Sequence, residues 1–496
     1  MQRATKTIEL PPLTTDLLTA GGVLVDSLFA TLWREVGMKT LLSRAGFTKR
    51  SGTPIDAVLY HLILWVWLKQ ESIGMFAREC LQAAMGKDAL YEAMNREDLN
   101  WRRLHAQVAA KALRSVPVSG RRAFIVDDTV EQRFGKKIPG VSSHFDHTTG
   151  RHVMGQQVVS LGLSTEDHYV PLDDDLYVSQ VQAQPLHEAF RDGRSLVARR
   201  YQTSVQRTKP EMVAAMLKRA LASGVAADYL VADAWFGTKT MIRVTQDTAL
   251  VPVLRMKRGT MKYRLTTVVQ GRPQHQALDA RALYQATVRK QWERMPGGRY
   301  QTKVIDADLN LAEGTEKAQW VKVRLLFVRG HGDRDTDPGQ HEWALFLTTE
   351  RRLSATDMLQ IYSMRWSIEV YYKEAKQHLG FLKEQSNHYA AYVASIHLTA
   401  IRFCLLVIAK QAQGSGSLAK ARQALCGNSA DIHYASKLWP VFRALISGAL
   451  DSMRAVLGEA LGQVLSVIDE HVHVWFTQVL QLDPQQLRLE ASDVGT

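Results

Sequence analysis

The chain has 496 residues, which is too long for one hydrophobic core and favours about three or four compact units. Its content of 46% hydrophobic residues excludes a largely disordered protein, since no long stretch combines low hydrophobicity with high charge. Lysine and arginine number 62 against 49 acidic residues, and the formal charge of +13 favours an anionic partner such as nucleic acid or a membrane surface.

Two apolar runs are candidates for membrane spans. Ile55 to Leu68 contains His61 and is shorter than the ~20 residues that a span needs. Ala390 to Lys410 is interrupted by His397 and Arg402. We therefore expect both runs to be buried helices, and we expect no membrane partner.

The cysteines and the N-terminus bear on the cellular compartment. Cys80, Cys404 and Cys426 are scattered, which argues against a disulfide framework and against a cysteine zinc site. Met1 to Lys6 is followed by no apolar segment of the kind found in a signal peptide. We expect a cytoplasmic protein.

Residues 1–118 are expected to form a helical N-terminal region that binds DNA. Thr53 is placed as an N-cap with Pro54 at the first helical position, and a turn near Ser72 opens a second helix. This pair resembles a helix-turn-helix, although most such pairs only pack against each other. A third helix is expected from Asp88 to Arg114.

Residues 119–249 are expected to form the first part of an α/β core. Three short runs look like the strands of a β-meander, and a helix, a buried strand and another helix follow them. Strands followed by strand–helix alternation favour a sheet of mixed direction. The predicted elements are the strands Ala123 to Val126, Gln156 to Leu163 and Tyr169 to Val178, the helix Pro210 to Ser223, the strand Tyr229 to Ala232 and a helix that begins near Thr238.

Residues 250–352 look like a separate inserted unit that is rich in β-structure. Turn signals are frequent there, and strands are expected at Val321 to Val328 and at Trp343 to Leu347. Strands in such irregular sequence favour a compact domain placed between two parts of the core.

Helical periodicity returns in the last part of the chain. It runs from Ser354 to Lys410, so residues 353–412 are expected to complete the core. Gly414 to Ser417 marks a flexible break within the C-terminal helical region 413–496, which is a candidate for dimerisation. The predicted fold class is α/β, with a mixed-sheet core interrupted by a β-rich insertion and flanked by helical N- and C-terminal regions.

Acidic residues follow two of the predicted buried strands. Asp127 and Asp128 follow Phe124 to Val126, and Asp233 follows Leu230 to Ala232. A carboxylate at the end of a buried strand is costly unless a cation compensates it, so each position is a candidate metal ligand. The alternative is that each acid begins a turn or caps a helix.

A third acidic residue lies in a predicted helix, Ile361 to Phe381. Arg365, Glu369 and Lys376 fall at i, i+4 and i+11, which places them on one helical face. An apolar stripe packs the helix down, so the polar face looks either at solvent or at a site. This face combines one carboxylate with cations that can bind phosphate, which favours a functional site over a solvent-exposed surface. The polar face also holds Tyr362 and Lys373, and the stripe consists of Met364, Ile368, Ala375 and Leu379.

Carboxylates gathered from distant segments are what phosphodiester chemistry with Mg²⁺ requires. Mg²⁺ is a hard cation that takes oxygen ligands and leaves positions for water and phosphate. In a two-ion site, one ion activates the attacking water or 3′-hydroxyl and the other stabilises the leaving oxygen. We expect two Mg²⁺ ions, for which Mn²⁺ can substitute, with Asp127, Asp233 and Glu369 as catalytic ligands and Asp128 as a further metal ligand.

Three motifs resemble those of DDE-class insertion-sequence transposases. They are Asp127-Asp128-Thr129, Ala232-Asp233-Ala234-Trp235-Phe236 and Tyr362-x2-Arg365-x3-Glu369-x6-Lys376. The last resembles the Tyr-Arg-Glu-Lys signature of a bacterial branch of cut-and-paste transposases with a β-rich insertion domain, and the likeness covers residues 120 to 410. It implies a ribonuclease-H-like core with the acids at the ends of its first and fourth strands and on a later helix.

The resemblance also implies which residues meet DNA. In relatives that form hairpins, a tryptophan of the insertion stacks on a flipped base, and Trp343 is the matching candidate. Trp320 is an alternative. Either tryptophan could instead be a buried residue of the core. Cations and a tyrosine near Glu369 would contact phosphates. The expected DNA-binding residues are Tyr362, Arg365, Lys373, Lys376, Trp343, Arg255, Lys257 and Arg258, with Lys262 and Arg264 as further basic residues of the insertion.

The first motif offers two carboxylates. Asp127 is favoured over Asp128 because Thr129 completes the pattern of Asp, any residue, then Ser or Thr, which the resembled family shows. Asp128 would face away if the strand alternation persists.

Two further clusters have alternative readings as metal sites. Asp173 to Asp175 is an acidic run that we expect to be a solvated turn. His144, His147 and His152 could bind zinc in principle, but with no cysteine nearby we expect a DNA-facing loop.

The sequence therefore predicts a DNA transposase that cleaves transposon ends and transfers the freed 3′-hydroxyl into target DNA. The expected partners are double-stranded DNA with terminal inverted repeats, target DNA at the bacterial nucleoid, and a second copy of the chain, with Ala444 to Val467 as a candidate dimer contact. The alternatives are a nuclease of the same core that never joins DNA, and a non-catalytic DNA-binding protein derived from a transposase.

Overall fold

The computed structural model describes most of the chain between residues 27 and 426. The described residues are 27–49, 51–68, 72–81, 85–117, 120–135, 137–146, 150–179, 186–270, 272–287, 292–295, 297, 300–314, 317–330, 343–414 and 416–426, with short stretches between 445 and 471. The predicted dimer contact, Ala444 to Val467, therefore lies largely outside the described residues.

The helices follow one another along the described chain and are numbered in that order. They are α1 (Ser27–Val36), α2 (Met38–Ala45), α3 (Ile55–Leu64), α4 (Ile73–Phe76) with a π-helical turn after it (Ala77–Leu81), α5 (Lys87–Asn95), α6 (Trp101–Ser115), α7 (Leu196–Gln206), α8 (Lys209–Ala222), α9 (Lys239–Asp247), α10 (Ala280–Thr287), α11 (Ala355–Ser363), α12 (Trp366–His378) and α13 (Tyr389–Ala412). Residues 418–426 are also helical, and Gly458–Ala460 forms a 3₁₀ turn.

The strands are concentrated between residues 123 and 348. They are β1 (Ala123–Gln132), β2 (Ser142–Asp146), β3 (Arg151–Ser164), β4 (Tyr169–Tyr177), β5 (Tyr229–Ala232), β6 (Val251–Met256), β7 (Lys262–Val269), β8 (Arg272–Asp279), β9 (Glu293–Arg294), β10 (Tyr300–Asn310), β11 (Trp320–Gly330) and β12 (Trp343–Thr348). The chain divides into a helical unit, Met1–Ser115, Glu188–Ala198 and Ala375–Thr496, and a sheet unit, Val116–His187 and Arg199–Glu374.

The core helix of the helical unit is α13. Its 24 residues are buried almost throughout, and it packs against α3, α5 and α6. The helix is long and apolar enough to cross a membrane, yet protein covers 94% of its most apolar window, as in the core helix of a globular domain. The prediction that Ala390 to Lys410 forms a buried helix is confirmed.

Helix α3 is buried as well. Every residue from Ala57 to Leu64 is buried, including His61, whose Nδ1 lies 2.7 Å from the carbonyl oxygen of Ala57. Burial lowers the pKa of His61 to about 4, so the ring is neutral and its Nδ1 donates to that oxygen. Because α3 is covered over this stretch, the pair packs within the helical unit, and its role in DNA recognition stays a prediction.

Arg402 of α13 joins three segments inside the helical unit. Its guanidinium is fully buried and donates to the carbonyl oxygens of Leu62, Ile63 at 3.2 Å and Leu379 at 2.8 Å. Leu62 and Ile63 belong to the last turn of α3, where carbonyl groups have no intrahelical donor. Burial lowers the pKa of Arg402 to about 10, so the side chain is still charged at neutral pH.

In the sheet unit, twelve strands of the described chain form one sheet. Its order is β2-β3-β1-β5-β6-β12-β11-β10-β7-β8, with β4 paired to β3 and β9 paired to β10. β1, β5 and β6 are parallel, whereas β1, β3 and β4 form an antiparallel meander. Helix α8 packs on β3 and β4, α9 on β6, and α11 on β5 and β6. This arrangement fits a ribonuclease-H-like core, and the predicted mixed α/β fold class is confirmed.

The strands of residues 250–352 extend the sheet of the core. β12 pairs antiparallel with β6, and β11, β10, β7 and β8 continue the sheet outward. The region is β-rich, as predicted from its turn signals. Its limits as a separate domain stay a prediction.

Several predicted helix limits are wrong. Pro54 is the N-cap of α3 and not its first helical residue. The predicted helix Asp88 to Arg114 is divided between α5 and α6. The run Ser354 to Lys410 is divided among α11, α12 and α13. Gly380, with φ at 76°, takes the left-handed conformation that ends α12.

The variant Arg402→Met is expected to lower the free energy of unfolding by about 3 kcal/mol or more, because buried carbonyl groups lose their donor. Urea denaturation followed by circular dichroism measures the change. The control is Arg103→Met, at an exposed position of α6, which is expected to change stability by less than about 0.5 kcal/mol. Equal stability of the two variants would contradict the role given to Arg402.

Candidate active site

Asp127 and Asp128 lie within β1, and the prediction that they follow the strand is wrong. β1 continues to Gln132 because its antiparallel pairing with β3 continues. Its parallel pairing with β5 ends at Val126, which is opposite Ala232. Asp127 is therefore the first residue of β1 beyond the carboxyl end of β5.

Asp233 follows β5 directly and organises a tight turn. Its Oδ1 accepts hydrogen bonds from the backbone N–H groups of Trp235 at 2.9 Å and Phe236 at 3.4 Å. Phe236 is fully buried, and a Cβ at Gly237 would collide with the carbonyl oxygen of Arg255 in β6. The turn is packed against the next strand, so the carboxylate of Asp233 is fixed at the edge where β1 and β5 separate.

The third acidic motif is not one continuous helix, as its spacing had predicted. α11 ends at Ser363 and α12 begins at Trp366, with Met364 and Arg365 between them. The backbone N–H of Arg365 donates to the carbonyl oxygen of Tyr362 at 3.0 Å, which tightens the turn. Arg365 therefore lies in a helix–helix junction, and its side chain is not restricted to the face that i, i+4 spacing would give it.

Arg365 bridges two of the three predicted catalytic acids. Its Nη1 donates to Asp127 Oδ2 at 2.9 Å, and its Nη2 donates to Oε1 of Glu369, in the first turn of α12. Asp233 lies close enough to these groups for its charge to raise the pKa of Asp127. The carboxylates of β1, of the turn after β5 and of α12 thus meet inside the sheet unit.

Two tyrosines of α12 fix this helix on the sheet. The hydroxyl of Tyr372 donates to the backbone oxygen of Asp127 at 3.0 Å. The ring of Tyr371 packs on that of Tyr169 in β4, with 5.6 Å between the centroids. Tyr169 lies across Gly162 of β3, where any Cβ would collide with the tyrosine ring. Glycine at position 162 therefore allows the close packing that brings α12 to β1.

The acids of the site are short of positive charge. Burial raises the pKa of Asp127 to about 7, and the neighbouring carboxylate of Asp233 adds to this shift. Burial also raises the pKa of Asp233. The charge of Arg365 opposes both shifts without cancelling them. Buried carboxylates in mutual repulsion are groups that a further cation would stabilise.

Asp128 has a different partner from Asp127. Its Oδ2 accepts a hydrogen bond from Nζ of Lys209 at 2.8 Å, and Lys209 is 8% exposed at the start of α8. The negative charge of Asp128 nevertheless contributes to the raised pKa of Asp233. Both carboxylates of the first motif are thus near Asp233, and the choice of Asp127 as the first ligand stays a prediction. Lys209 is a site residue that the sequence reasoning missed.

The donor set fits a divalent metal ion of the hard class. Asp127, Asp233 and Glu369 supply only carboxylate oxygens, from three separate segments, and Asp128 supplies a further carboxylate beside them. Such oxygens are the ligands that Mg²⁺ prefers. The raised pKa of Asp127 shows where added positive charge would be stabilising.

The acidic run Asp173 to Asp175 lies in β4 and is buried, so the prediction of a solvated turn is wrong. The predicted strand Tyr169 to Val178 already contained this run. The compensating arginines come from α7 and α8, which local spacing does not reveal. The ion pairs are Arg200 with Asp175 and Arg219 with Asp173, each at 2.7 Å.

A row of polar side chains crosses three strands beside the site. Asp127 is paired in register with Ser160 of β3, and Ser160 is paired with Asp174 of β4. Paired residues of antiparallel strands share one face of the sheet. Ser160 donates to the carboxylate of Asp174, whose pKa burial raises to about 7. The sequence reasoning missed this row, since only strand register aligns the three residues.

The predicted DNA-binding residues lie on several elements. Tyr362 is half-buried, and its ring packs on Phe346 with 4.7 Å between the centroids. Lys376 lies in the last turn of α12, beyond the point at which the sheet unit ends. The exposed basic residues of the predicted set are Arg255, Lys257 and Lys373.

Trp343 is a core residue in this structure. It is 3% exposed, its ring stacks on that of Tyr284 at 4.6 Å, and the guanidinium of Arg258 lies 4.7 Å from its centroid. A base would reach the ring only by displacing these neighbours. The prediction that Trp343 receives a flipped base is therefore wrong for this structure, and the alternative of a buried core residue holds. Trp320 is 45% exposed, with the guanidinium of Arg264 3.5 Å from its centroid.

His144 and His152 lie in β2 and β3, and the prediction of a DNA-facing loop is wrong for them. His147 lies outside the described residues. Nε2 of His144 is 2.9 Å from Oγ of Ser142 and 3.2 Å from the carbonyl oxygen of Gly155. Strand pairing and these contacts make His144 a structural residue of the sheet.

Residues 67–305 match the family model described as DDE superfamily endonuclease. The match spans slightly less than half of the chain and includes Asp127 and Asp233, but it ends before Glu369. No curated protein matches the chain. The match supports a DDE-type transposase or nuclease, and hence a nuclease-type enzyme with DNA as its substrate.

The variant Trp343→Ala is expected to lower the free energy of unfolding by about 3–5 kcal/mol, because it removes a buried, stacked ring. Trp320→Ala removes an exposed ring and is expected to cost about 1 kcal/mol or less. Urea denaturation of both variants measures the difference. A Trp343→Ala protein as stable as Trp320→Ala would overturn the assignment of Trp343 to the core.

Proposed function

We propose that this protein is a DNA transposase that cleaves transposon ends with divalent metal ions and joins the freed 3′-hydroxyl to target DNA. The observation that carries the proposal is the meeting of Asp127, Asp233 and Glu369 around Arg365. The family match supports nuclease chemistry. The order of the acids along the chain, with the Tyr362-x2-Arg365-x3-Glu369-x6-Lys376 spacing, favours the Tyr-Arg-Glu-Lys branch of these transposases.

The proposed cofactor is a pair of Mg²⁺ ions, for which Mn²⁺ can substitute. When bound, the ions would activate the attacking oxygen and stabilise the leaving oxygen of an in-line displacement. Asp127, Asp233 and Glu369 would hold them, and Asp128 is a further ligand because its charge already acts on Asp233.

The surrounding residues hold the carboxylates in place. Tyr372 fixes the backbone of β1 at Asp127, and the turn after β5 fixes Asp233 through two backbone N–H donors. Arg365 offsets the repulsion between Asp127 and Glu369. This rigidity matters because a misplacement of about 1 Å at a reacting centre can cost about 100-fold in rate.

The proposed substrates are double-stranded DNA with terminal inverted repeats and target DNA. Exposed Arg255, Lys257 and Lys373 would contact the phosphate backbone, which positions DNA without reading its sequence. Because two transposon ends must be joined, we propose a homodimer on DNA. The bacterial nucleoid would be its place of action.

The variants Asp127→Asn, Asp233→Asn and Glu369→Gln are each expected to reduce Mg²⁺-dependent DNA cleavage by more than about 100-fold, since even residues that only orient metal ligands cost 10–100-fold. DNA binding is expected to change little, because the charge that meets phosphate is untouched. Nicking of supercoiled plasmid measures cleavage, and a gel shift measures binding.

The matched control for these variants is Asp247→Asn, at the exposed end of α9 in the same unit. It is expected to cleave at the wild-type rate. Retained Mg²⁺-dependent cleavage by Asp233→Asn would contradict the proposed site.

A reaction with pre-cleaved DNA ends separates a transposase from a nuclease of the same core. We expect joined product, and light scattering of the assembled complex should give the mass of two chains with two DNA ends. Cleavage without any joined product would favour the nuclease, and a complex with one chain would contradict the homodimer. Absence of metal-dependent nicking would favour a non-catalytic DNA-binding protein.

A further inference from the structure

Trp235 is an exposed aromatic residue directly beside the candidate active site. It lies two residues after Asp233, in the turn that follows β5, and it is 52% exposed. Its neighbour Phe236 is fully buried and serves as the apolar anchor of this turn. The turn therefore holds one aromatic ring in the core and presents the other to solvent, although exposure of an indole is unfavourable in water.

Two lysines flank the indole of Trp235. Nζ of Lys257 lies 3.9 Å from the ring centroid, and Nζ of Lys209 lies 4.6 Å from it. Lys209 is nearly buried and also donates to Asp128, so the ring adjoins the acidic cluster. Lys257 is exposed and follows β6, so it can move away from the ring toward solvent.

The position of the ring is fixed relative to the acids. Asp233 Oδ1 accepts from the backbone N–H of Trp235 at 2.9 Å, which ties the turn to the predicted ligand. The collision that any Cβ at Gly237 would make with the carbonyl of Arg255 shows how closely the turn packs on β6. The strand that follows this turn ends one residue before Lys257. The indole and the lysine are therefore placed by the same rigid edge of the sheet.

Among the described residues of the sheet unit, the cation–aromatic pairs at Trp343 and Trp320 lack this combination. Trp343, with Arg258, is buried, so its ring is part of the core. Trp320 is exposed, but its partner Arg264 is held by an ion pair with Asp308 at 3.0 Å. Trp235 combines an exposed ring, an exposed lysine and a second lysine that is bound to Asp128 of the acidic cluster.

We propose that Trp235 and Lys257 bind one unpaired nucleotide of the DNA strand next to the scissile phosphate. The base stacks on the indole, and the ammonium of Lys257 moves from the ring to the nucleotide's phosphate. An aromatic ring can stack on any of the bases, and a lysine beside it supplies a positive charge that binds the phosphate of the DNA backbone. The inference rests on the proposed function for the identity of the strand, and it makes Trp235 a positioning residue and not a catalytic one.

The test compares two DNA duplexes that differ only in a short single-stranded tail. One tail consists of thymidines, and the other has abasic nucleotides, which keep the phosphates and lack the bases. Binding is measured by fluorescence anisotropy without divalent metal, so that no cleavage occurs. The ratio of the two dissociation constants reports base stacking alone.

Wild-type protein is expected to bind the thymidine tail about fivefold to a hundredfold more tightly than the abasic tail. Trp235→Ala should bring this ratio close to one, and Trp235→Phe should restore most of it. Lys257→Ala should weaken binding of both tails equally, because it removes a phosphate contact. The control is Tyr300→Ala, at an exposed aromatic residue of β10, which should keep the wild-type ratio.

A wild-type ratio near one, or an unchanged ratio in Trp235→Ala, would overturn the proposal. Wild-type affinity of Trp235→Ala for the abasic tail excludes a loss caused by misfolding. The outcome is separable from the proposed function. Tighter binding of the thymidine tail without Mg²⁺-dependent cleavage would contradict the proposed transposase and support the nucleotide site. Mg²⁺-dependent cleavage with equal binding of the two tails would support the transposase and contradict the nucleotide site.

Discussion

The guanidinium of Arg365 lies between two carboxylates, one of which, Asp127, is 238 residues away along the chain. Buried carboxylates repel one another and lose hydration, so a sheet that carries several of them must supply cations. Arg365 forms ion pairs with Asp127 and Glu369, and Lys209 forms an ion pair with Asp128. The negative charges are therefore balanced by cations from the helix–helix junction at Arg365 and from the start of α8, which lie at the edge where β1 and β5 separate.

Packing places these charges. The hydroxyl of Tyr372 donates to the backbone of β1, and the packed rings of Tyr371 and Tyr169 fit because Gly162 has no side chain beneath the ring of Tyr169. The carboxylates therefore meet because α12 is held on the sheet by apolar and aromatic contacts. Compensation by Arg365 is incomplete, since burial and Asp233 still raise the pKa of Asp127. A further cation would stabilise carboxylates of this kind, which is consistent with the proposed metal-dependent chemistry.

The sequence predicted the parts of the fold that depend on local pattern. The runs Phe124 to Val126 and Leu230 to Ala232 are buried strands, as their apolar composition indicated, whereas their parallel pairing was not predicted. Predictions from local sequence pattern were wrong where buried acidic residues are paired with arginines that are distant in the sequence. The run Asp173 to Asp175 resembled a solvated turn, and only the arginines of α7 and α8 allow it to be buried in β4.

By itself, the sequence determined the mixed α/β class, the buried helices around Ala390 to Lys410 and the three acidic motifs, because periodicity, composition and spacing are local properties. Tertiary structure alone decided which side chains share a site. It placed Arg365 in a junction between helices, buried Trp343 and left Trp235 exposed between two lysines. The reason is physical: exposure and charge pairing depend on strand register and helix packing, which join residues that are far apart in the chain.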